Sequence, residues 1–387
     1  MLRCALHDND PNTQHSIPNT QSPNTHYLIM KSTKTFLRPL LLSLGLTTGL
    51  LGCDNRDPGP APAPTGSGQY ALVLNEGNFL GGTGAVSRFD KTTQAVVPDL
   101  FGAANGGAAL GSVVQSMTVV GQRGYVVVNN SNKIEVVSLP DFKSITTING
   151  LSQPRHLTLS VANPGRAYVT EWLGGPYPAP YLPGRVSILD LTTNKILQAL
   201  PTGTNPERPV LLGGRLYVPN SGTASLSVFD DATGAALPSI ALPSEASGGL
   251  VADASGNLWV LCGSDYVSRP ATLVRLNPLQ INQQTQLPLP SAGGGGGLLR
   301  ISPNGQQLYY NHDEAEYRMN VTDPALPPKF FLKRDFYGFD IDPATGLLYA
   351  TDALNYSSPG RLIRYQPDGT KLDSATVLVS PNGVVFF

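Results

Sequence analysis

One short β pattern recurs seven times along this chain: an aromatic residue flanked by β-branched and other apolar residues. The copies in residues 166–169 and 215–218 are the clearest, since both read Arg, an apolar residue, Tyr and Val. Successive copies lie roughly 40 to 55 residues apart, the repeat length of a four-stranded propeller blade. The pattern therefore predicts an all-β fold, a seven-bladed β-propeller with four-stranded antiparallel blades. The aromatic residues that mark the copies are Tyr70, Tyr125, Tyr168, Tyr217, Trp259, Tyr309 and Tyr349.

Each copy lies within a longer pattern of four strands. In the third repeat, the Tyr168 strand is followed by a strand at 185–189, a turn at 190–194 and a fourth strand at 195–200. Alternating β-branched residues bounded by Gly, Asn, Asp and Pro are typical of strands and hairpins. We interpret the Asp-rich turns as hairpins in which the Asp side chain binds nearby backbone. A calcium loop needs oxygen ligands at alternating positions, and these turns lack that spacing.

The two ends of the repeated region complement each other. The first copy starts at the Tyr70 strand with no inner strand before it, and the chain ends in residues 382–387, an inner-strand pattern with nothing after it. We expect the C-terminal strand to join the first blade and close the ring, because closure removes free sheet edges. The propeller is predicted to span residues 69–387 as one domain, since no linker interrupts the repeats.

Residues 30–52 have the features of a bacterial lipoprotein signal peptide. Lys31, Lys34 and Arg38 form a positive segment, and an apolar run at 40–51 follows that is short for a bilayer span. The sequence Leu-Leu-Gly-Cys at 50–53 resembles a lipobox, which implies that Cys53 is acylated and becomes the mature N-terminus. The alternative is an ordinary signal peptide with a chance cysteine.

The segments on either side of this signal are polar or rich in small residues. Two interpretations of residues 1–29 stay open: a mis-assigned start upstream of Met30, or a translated disordered leader. Residues 53–68 carry the lipid site and a Pro- and Gly-rich tether. We therefore expect a cell-envelope protein, lipid-anchored to the outer membrane and exposed at the surface.

Charge and cysteine content exclude several classes of protein. Residues 53–387 contain 22 basic and 25 acidic residues and no block of basic residues interleaved with aromatic ones, so nucleic acid is not an expected partner. Only His156 and His312 remain in this part of the chain, and no metal site or cofactor is predicted. Cys262 is predicted to be a small buried residue. The glycines at 293–297 lack the Lys-Ser or Lys-Thr of a phosphate loop, so we interpret them as an inter-blade loop.

One face of the predicted ring is unusually polar and aromatic. In each blade, the loop after the second strand and the loop into the next inner strand emerge on the same side, where polar groups mixed with aromatic rings favour a ligand site. Any single Asn or Asp at a strand end is better explained as a turn former, so the prediction depends on the set. The predicted ligand-binding residues are Asn75, Glu76, Asn78, Phe79, Gln115, Asn129, Asn130, Arg155, Glu171, Trp172, Tyr177, Tyr181, Glu207, Arg208, Asn220, Tyr266, Asn311, His312, Arg334, Tyr337, Asp352 and Tyr356.

The longest insertion on this face, residues 173–184, carries Tyr177 and Tyr181 between prolines. Two tyrosines on a stiff loop form a contact surface or a lid at low entropic cost. The alternative is a loop that packs on its neighbouring blade.

The repeats at 166–170 and 215–220 resemble the YVTN-type, YncE-like propeller family. More narrowly, residues 75–79, 115–117, 128–131 and 133–137 resemble lipid-anchored propellers of Bacteroidota that carry a domain of unknown function. The resemblance covers residues 69–387 and implies the fold and the envelope location. Some similar surface propellers sit over outer-membrane transporters and capture corrinoids such as vitamin B12, which implies a corrinoid as ligand and a transporter as partner.

Three functions fit these features. The first is a non-catalytic propeller that captures a small polar ligand for an outer-membrane transporter. The second is a metal-dependent lactonase-like hydrolase, in which Glu171, Asn130, Asn220 and Asp352 would supply the oxygen ligands. The third is a protein-interaction scaffold that uses the same face. Of the three, we expect the non-catalytic binding role.

Overall fold

The computed structural model describes residues 68–79, 81–174, 182–263, 268–291 and 297–387. Their strands form seven antiparallel sheets, and each sheet collects strands that are consecutive in the sequence except where the C-terminal strand joins the first sheet. The sheets are arranged as blades in a ring. The predicted all-β, seven-bladed β-propeller is therefore confirmed.

Strands are grouped here by their position within a blade, from blade 1 to blade 7. The inner strands are β27 (Pro381–Phe386), β4 (Val114–Val120), β8 (Pro154–Leu159), β12 (Val210–Leu212), β16 (Gly249–Ala252), β20 (Leu299–Ile301) and β23 (Gly338–Ile341). The second strands are β1 (Tyr70–Asn75), β5 (Arg123–Val128), β9 (Arg166–Glu171), β13 (Arg215–Asn220), β17 (Leu258–Cys262), β21 (Gln307–His312) and β24 (Leu348–Asp352). The third strands are β2 (Ala85–Asp90), β6 (Lys133–Ser138), β10 (Pro183–Asp190), β14 (Ser225–Asp230), β18 (Thr272–Leu276), β22 (Ala315–Asn320) and β25 (Pro359–Tyr365). The outer strands are β3 (Val96–Val97), β7 (Ser144–Ile148), β11 (Lys195–Thr204), β15 (Ala236–Ala241), β19 (Gln284–Pro288) and β26 (Lys371–Val379).

Blade 6 differs from the other six, because its sheet contains only β20, β21 and β22 among the described residues. A single bridge between Glu316 and Leu332 stands where the outer strand would pair. The segment after β22 contains Pro324, Pro327 and Pro328. Proline has no backbone N–H to donate to a ladder, which explains why this segment does not form a fourth strand.

The ring is closed by the C-terminal strand, as the sequence predicts. Strand β27 pairs antiparallel with β1, with Val73 opposite Val384 and Leu72 opposite Val385. The apolar side chains of both strands enter the core, where Ala71, Val73, Val384 and Phe386 pack together. Blade 1 therefore contains strands from both ends of the propeller.

The hydrophobic core consists of layers between neighbouring blades. Tyr125 and Val127 of blade 2, for example, pack against Leu157 and Val169 of blade 3. Alternating apolar residues on each strand supply these layers, since every blade is covered on both faces. Cys262 lies fully buried in one such layer, as predicted, and burial raises the pKa of its thiol to about 12.

Side chains of several inner strands bind the backbone of the next inner strand around the axis. Ser116 and Thr118 of β4 donate to the carbonyl oxygens of Arg155 and Leu157 in β8, each at 2.7 Å. Arg300 Nε of β20 donates to the carbonyl oxygen of Phe339 in β23 at 3.0 Å. These bonds satisfy backbone groups along the free edge of an inner strand, which would otherwise need water.

The two sides of the ring differ in what they carry. We call the side on which second strands end and inner strands begin the loop face, and the opposite side the turn face. On the turn face, Asp90 Oδ1 accepts hydrogen bonds from the backbone N–H groups of Thr92 and Thr93. Asp190 Oδ1 accepts the equivalent hydrogen bonds from the N–H groups of Thr192 and Thr193. The Asp-rich segments are therefore hairpin turns, as predicted.

One short helix, α1 (Leu100–Ala104), follows blade 1 in the described part of the chain. The side chain of Asp99 caps it by accepting a hydrogen bond from the Gly102 N–H at 2.9 Å. No helix in the described ranges is both long enough and apolar enough to cross a bilayer.

Candidate functional site

A polar network lies on the loop face near the axis of the ring, in two side-chain clusters that join where the Asn382 amide donates to the backbone carbonyl oxygen of Gln115 at 3.3 Å. It combines side chains from five blades: Tyr337 from blade 7, Glu76 and Asn382 from blade 1, Gln115 from blade 2, Arg155 and His156 from blade 3, and Glu207 from blade 4. We call these seven residues the axial network. Five of them were predicted from the sequence, whereas Asn382 and His156 were not.

Arg155 is the centre of this network. Its guanidinium donates to both carboxylate oxygens of Glu207, at 3.3 and 3.1 Å, and a third N–H donates to the side-chain oxygen of Gln115. The guanidinium also lies 4.5 Å from the ring centroid of Trp172, within the range of a cation–π interaction. Trp172 is fixed in turn, because its indole N–H donates to the carbonyl oxygen of Pro206 at 3.2 Å.

Glu207 is held in its ionised form. Burial alone would raise the pKa of its carboxyl, but the charge and hydrogen bonds of Arg155, together with the hydrogen bond of His156, outweigh burial and lower the pKa below 4.5. The imidazole Nε2 of His156 lies 3.4 Å from Glu207 Oε2. Burial is the main reason why the pKa of His156 is lowered below 6.5, although Glu207 acts in the opposite direction, so the imidazole is neutral at pH 7.

Glu76 joins blades 7 and 1 on the same loop face. Its carboxylate accepts hydrogen bonds from the Tyr337 hydroxyl at 2.8 Å and from the Asn382 amide at 2.9 Å. The same amide donates to the carbonyl oxygen of Val114 at 3.0 Å, which connects blade 1 to blade 2. Asn382 lies at the start of an inner strand, the same position that identified Gln115 and Arg155, and this signal in the sequence was not used.

Charged residues that the sequence reasoning missed also lie deeper along the axis. Arg300 and Asp340 come from adjacent inner strands, and Arg300 Nε lies 3.7 Å from Asp340 Oδ1. Asp340 Oδ2 accepts a hydrogen bond from the Val384 N–H at 2.8 Å. Burial lowers the pKa of Arg300 and raises the pKa of Asp340, while the opposite charge of each partner resists both shifts. Both residues interrupt apolar inner strands, which is the signal that could have identified them.

Arg208, a predicted residue, interacts electrostatically with this deeper pair, and part of its surface stays accessible. Burial lowers its pKa well below the usual 12.5, the charge of Arg300 adds to this shift, and Asp340 opposes it. Arg208 thus adds a third charged group to the electrostatics of Arg300 and Asp340.

Three predicted residues at the ends of second strands form hydrogen bonds to the third strand of their own blade. The Asn75 and Asn220 amides donate to Ser87 Oγ at 3.0 Å and to Ser227 Oγ at 3.1 Å, respectively. Glu171 accepts from Ser187 Oγ in the corresponding position of blade 3 and forms an ion pair with Arg185 at 2.8 Å. All three are fully buried. The structure therefore assigns them a role in joining the second strand to the third.

Two further predicted residues connect segments within the ring. The Asn129 amide donates to the carbonyl oxygen of Pro154, which links blade 2 to blade 3. The Asn311 amide donates to Asp335 Oδ1 at 3.0 Å, which links blade 6 to the segment that enters blade 7. His312 is buried beside Asp313, with 3.2 Å between its Nε2 and Asp313 Oδ2.

Tyr337 and Tyr356 form an aromatic pair next to the network, with ring centroids 5.0 Å apart and planes at 81°. They border a hollow of about 20 Å³ that Asp335 and Asp352 also line. A volume of this size holds little more than one water molecule. A larger ligand would therefore lie on this surface, not inside it.

The rim of the loop face supplies the accessible groups. Asn78 and Phe79 are exposed beside blade 1, and Asn130 is half-buried beside blade 2. Arg334 is exposed and forms an ion pair with Asp352. Tyr177, Tyr181 and Tyr266 were also predicted for this face but lie outside the described residues, as does Cys53.

Two of the four residues proposed as oxygen ligands for a lactonase, Glu171 and Asp352, have carboxylates that are engaged elsewhere. Glu171 binds Arg185, and Asp352 binds Arg334 and accepts a hydrogen bond from the Leu354 N–H at 2.8 Å. The Asn220 amide N–H groups bind within blade 4. Within the described ranges, no group of three or more His, Cys, Asp or Glu side chains is placed to hold a metal ion. The arrangement on the loop face is suited to polar recognition by fixed hydrogen-bonding groups.

Comparison with known proteins supports the fold. No family model and no curated protein matches this sequence. A quinonprotein alcohol dehydrogenase-like protein from Bacteroides thetaiotaomicron VPI-5482 is similar in structure, with a TM-score of 0.59 and 14% identity over 83% of this chain and 78% of that one. A functionally unknown protein from Desulfotomaculum acetoxidans DSM 771 has a TM-score of 0.60 and 12% identity over 82% of this chain and 98% of that one.

Hydrazine synthase from Kuenenia stuttgartiensis is also similar, with a TM-score of 0.56 and 15% identity over 73% of this chain and 89% of that one. Identities this low carry no information about ligand or activity. What the three structures share with this chain is the fold, so the chain is a β-propeller whose function must be argued from its own residues.

Proposed function

We propose that this protein is a binding propeller that captures a small polar ligand on its loop face. The observation that carries the proposal is the axial network, in which side chains from five blades form two hydrogen-bonded clusters joined through the backbone carbonyl oxygen of Gln115. Residues as distant in sequence as Glu76 and Tyr337 contact each other there. Ligand sites on rigid scaffolds are built in this way, from a few polar groups that converge from separate elements.

Pre-organisation of the site favours binding over a structural role alone. Arg155 has its orientation fixed by Glu207, Gln115 and the Trp172 ring, so a ligand would pay little entropy to order it. The exposed Phe79 and Arg334 at the rim add an apolar surface and a cation. The face therefore offers both a flat contact area and directed hydrogen bonds.

A corrinoid is the ligand that the family resemblance implies. A corrinoid is a broad, flat ring whose edge carries carboxamide groups, and such a ligand needs apolar contact for its face and hydrogen bonds for its edge. Phe79 and Tyr356 offer the first kind of contact, and Asn78 and Arg334 offer the second. On this proposal the propeller passes the corrinoid to an outer-membrane transporter.

Attachment to the outer membrane through Cys53 is part of the same proposal. The basic residues, the apolar run and the Leu-Leu-Gly-Cys sequence at 50–53 support it. Stable attachment needs more than one acyl chain, which a bacterial lipoprotein provides. We expect Cys53→Ser to abolish incorporation of labelled fatty acid, whereas Cys262→Ser leaves incorporation unchanged.

A thermal-shift screen against cyanocobalamin, cobinamide, calcium and simple lactones tests the binding role. A ligand that binds only the folded protein raises the melting temperature, so a corrinoid should produce a selective increase. Phe79→Ala with Arg334→Ala should remove the increase. Arg123→Ala is the matched control, because Arg123 is exposed at the opposite end of a second strand. Calcium-dependent hydrolysis of a lactone would replace this proposal with the enzymatic one.

A further inference from the structure

A second cleft lies far from the axial network, on the turn face of blade 5. It has a volume of about 360 Å³ and opens beside the turn between β18 and β19. This volume is at the lower end of the range for small-molecule sites, which is about 300 to 1,000 Å³. The side chains that matter here are five carboxamides and one guanidinium: Asn257, Asn277, Gln280, Gln283, Gln284 and Arg275.

The carboxamides offer donors and acceptors side by side. The Asn257 amide N–H groups donate to Asp253 at 3.0 and 3.3 Å, which leaves its oxygen to accept from a ligand. Asn277 offers donors instead of an acceptor, because its side-chain oxygen accepts a hydrogen bond from the Leu279 N–H at 2.9 Å and its amide N–H groups remain for a ligand. Gln284 donates to the carbonyl oxygen of Ala241 at 2.8 Å, which again leaves an oxygen. Alternating donors and acceptors of this kind match neighbouring hydroxyl groups.

Gln280 and Gln283 add two carboxamides that the fold does not use. Both residues are exposed, and their side chains make no hydrogen bond to the described part of the chain. Their backbone N–H groups form the turn, so the hairpin places both residues at the cleft.

Arg275 supplies a positive charge that no carboxylate in the described part of the chain neutralises. Its guanidinium lies 5.6 Å from the Trp259 ring centroid, and one N–H donates to the carbonyl oxygen of Val321 at 3.4 Å. No Asp or Glu of the described ranges forms an ion pair with it. The remaining N–H groups form a planar fork, which matches a carboxylate.

We propose that this cleft binds a hydroxyl-rich ligand with one carboxylate, such as the hexuronic acid of a glycan. The carboxamides bind the hydroxyl groups, and Arg275 binds the carboxylate. The site is independent of the loop face, because the two lie on opposite sides of the ring. If no such ligand bound to the cleft, the function proposed for the loop face would be unaffected.

Saturation-transfer NMR on the full-length protein tests this site, with glucuronate, glucose and acetate as probes at equal ionic strength. Glucuronate should bind saturably and at least tenfold more tightly than glucose or acetate, because only glucuronate engages both the carboxamides and the guanidinium. Arg275→Lys should reduce glucuronate binding to the level of glucose, since lysine lacks the planar fork.

Gln280→Ala with Gln283→Ala should weaken glucuronate binding tenfold or more without lowering the melting temperature. Gln286→Ala is the matched control, because Gln286 is exposed on β19, the strand that follows this turn, and does not line the cleft. The proposal is wrong if glucuronate does not bind saturably, if acetate binds as tightly as glucuronate, or if the double variant binds like the native protein.

Discussion

Glu207 and Glu316 are both buried carboxylates, but their surroundings differ. Glu207 is ionised and paired with Arg155. Glu316 is fully buried in β22, and neither of its carboxylate oxygens has a hydrogen-bond partner among the residues that the structure describes. Burial raises its pKa well above 4.5, the negative charge of Asp335 adds to the shift, and Arg300 opposes it. Glu316 is therefore protonated under conditions in which Glu207 is charged.

Glu316→Gln should change how stability depends on pH. A carboxyl whose pKa is raised on folding contributes full stability below its unfolded pKa of about 4.3, and this stability is lost as pH rises towards the folded pKa. Glutamine is neutral throughout. The variant should therefore gain stability relative to the native protein as pH rises from 5 to 8, measured by urea unfolding at each pH. An unchanged difference between the two proteins across this range would contradict the assignment.

Asp231 is a buried carboxylate with a structural role. It accepts hydrogen bonds from Ser160 Oγ at 2.6 Å, from the Ala162 N–H at 2.7 Å and from the Tyr168 hydroxyl at 2.9 Å, and so joins blade 4 to blade 3. Burial raises the pKa of Tyr168, and the charge and hydrogen bond of Asp231 raise it further.

Asp231→Ala should lower the free energy of unfolding by about 3 kcal/mol, because several buried donors lose a charged acceptor. Urea unfolding followed by tryptophan fluorescence measures this. Glu245→Ala is the control, since Glu245 forms an exposed ion pair with Arg269 and its loss should cost less than about 1 kcal/mol. Equal losses in the two variants would show that Asp231 does not join the blades.

The sequence identified part of the site because position along the chain restricts where a residue can lie. Gln115, Arg155 and Glu207 all come just before or at the start of an inner strand, and the structure brings them together. Asn75 shows the limit of this reasoning. Asn75 is a polar residue at the end of a second strand, where a ligand-binding side chain is expected. Its amide instead binds Ser87 within its own blade. The direction of a side chain depends on pairing register, which the repeats alone do not specify.

At the scale of elements, ring closure was predictable and the composition of blade 6 was not. The unpaired pattern at residues 382–387 needs a partner, and the first blade lacks an inner strand, so only one pairing completes both. In blade 6, the prolines between 324 and 328 are visible in the sequence. The bridge from Glu316 to Leu332 that takes the place of an outer strand is a tertiary contact without a local signal.

Removal of residues 381–387 should abolish cooperative unfolding, because it exposes the edge of β1 and removes Val384 and Phe386 from the core. Thermal melting followed by circular dichroism measures cooperativity. A synthetic peptide of residues 381–387 should restore the transition by adding the missing strand. The same peptide with Val384→Pro should not, because proline cannot donate the hydrogen bond that Val384 makes to Asp340. A truncated chain that melts as cooperatively as the native protein would contradict the closure mechanism.

At the scale of the whole molecule, the ring brings residues that are distant in sequence close together on the loop face. Gln115, Arg155 and Glu207 belong to three successive blades, and each contributes one side chain to the same network. Inner strands bind one another through side chains such as Ser116, which fixes the blades relative to the axis. The proposed ligand site depends on this convergence more than on any single residue.

A double-mutant cycle between Arg155 and Glu207 tests the convergence most directly. The variants are Arg155→Met, Glu207→Gln and the combination, and the measurement is the free energy of unfolding of each. The structure predicts a coupling energy of about 2 kcal/mol, because the two charges are buried and in direct contact. Arg269 and Glu245 form the comparison pair, with an expected coupling below about 1 kcal/mol at the exposed surface. Additive losses for Arg155 and Glu207, within about 0.5 kcal/mol, would show that the two side chains do not meet at the axis.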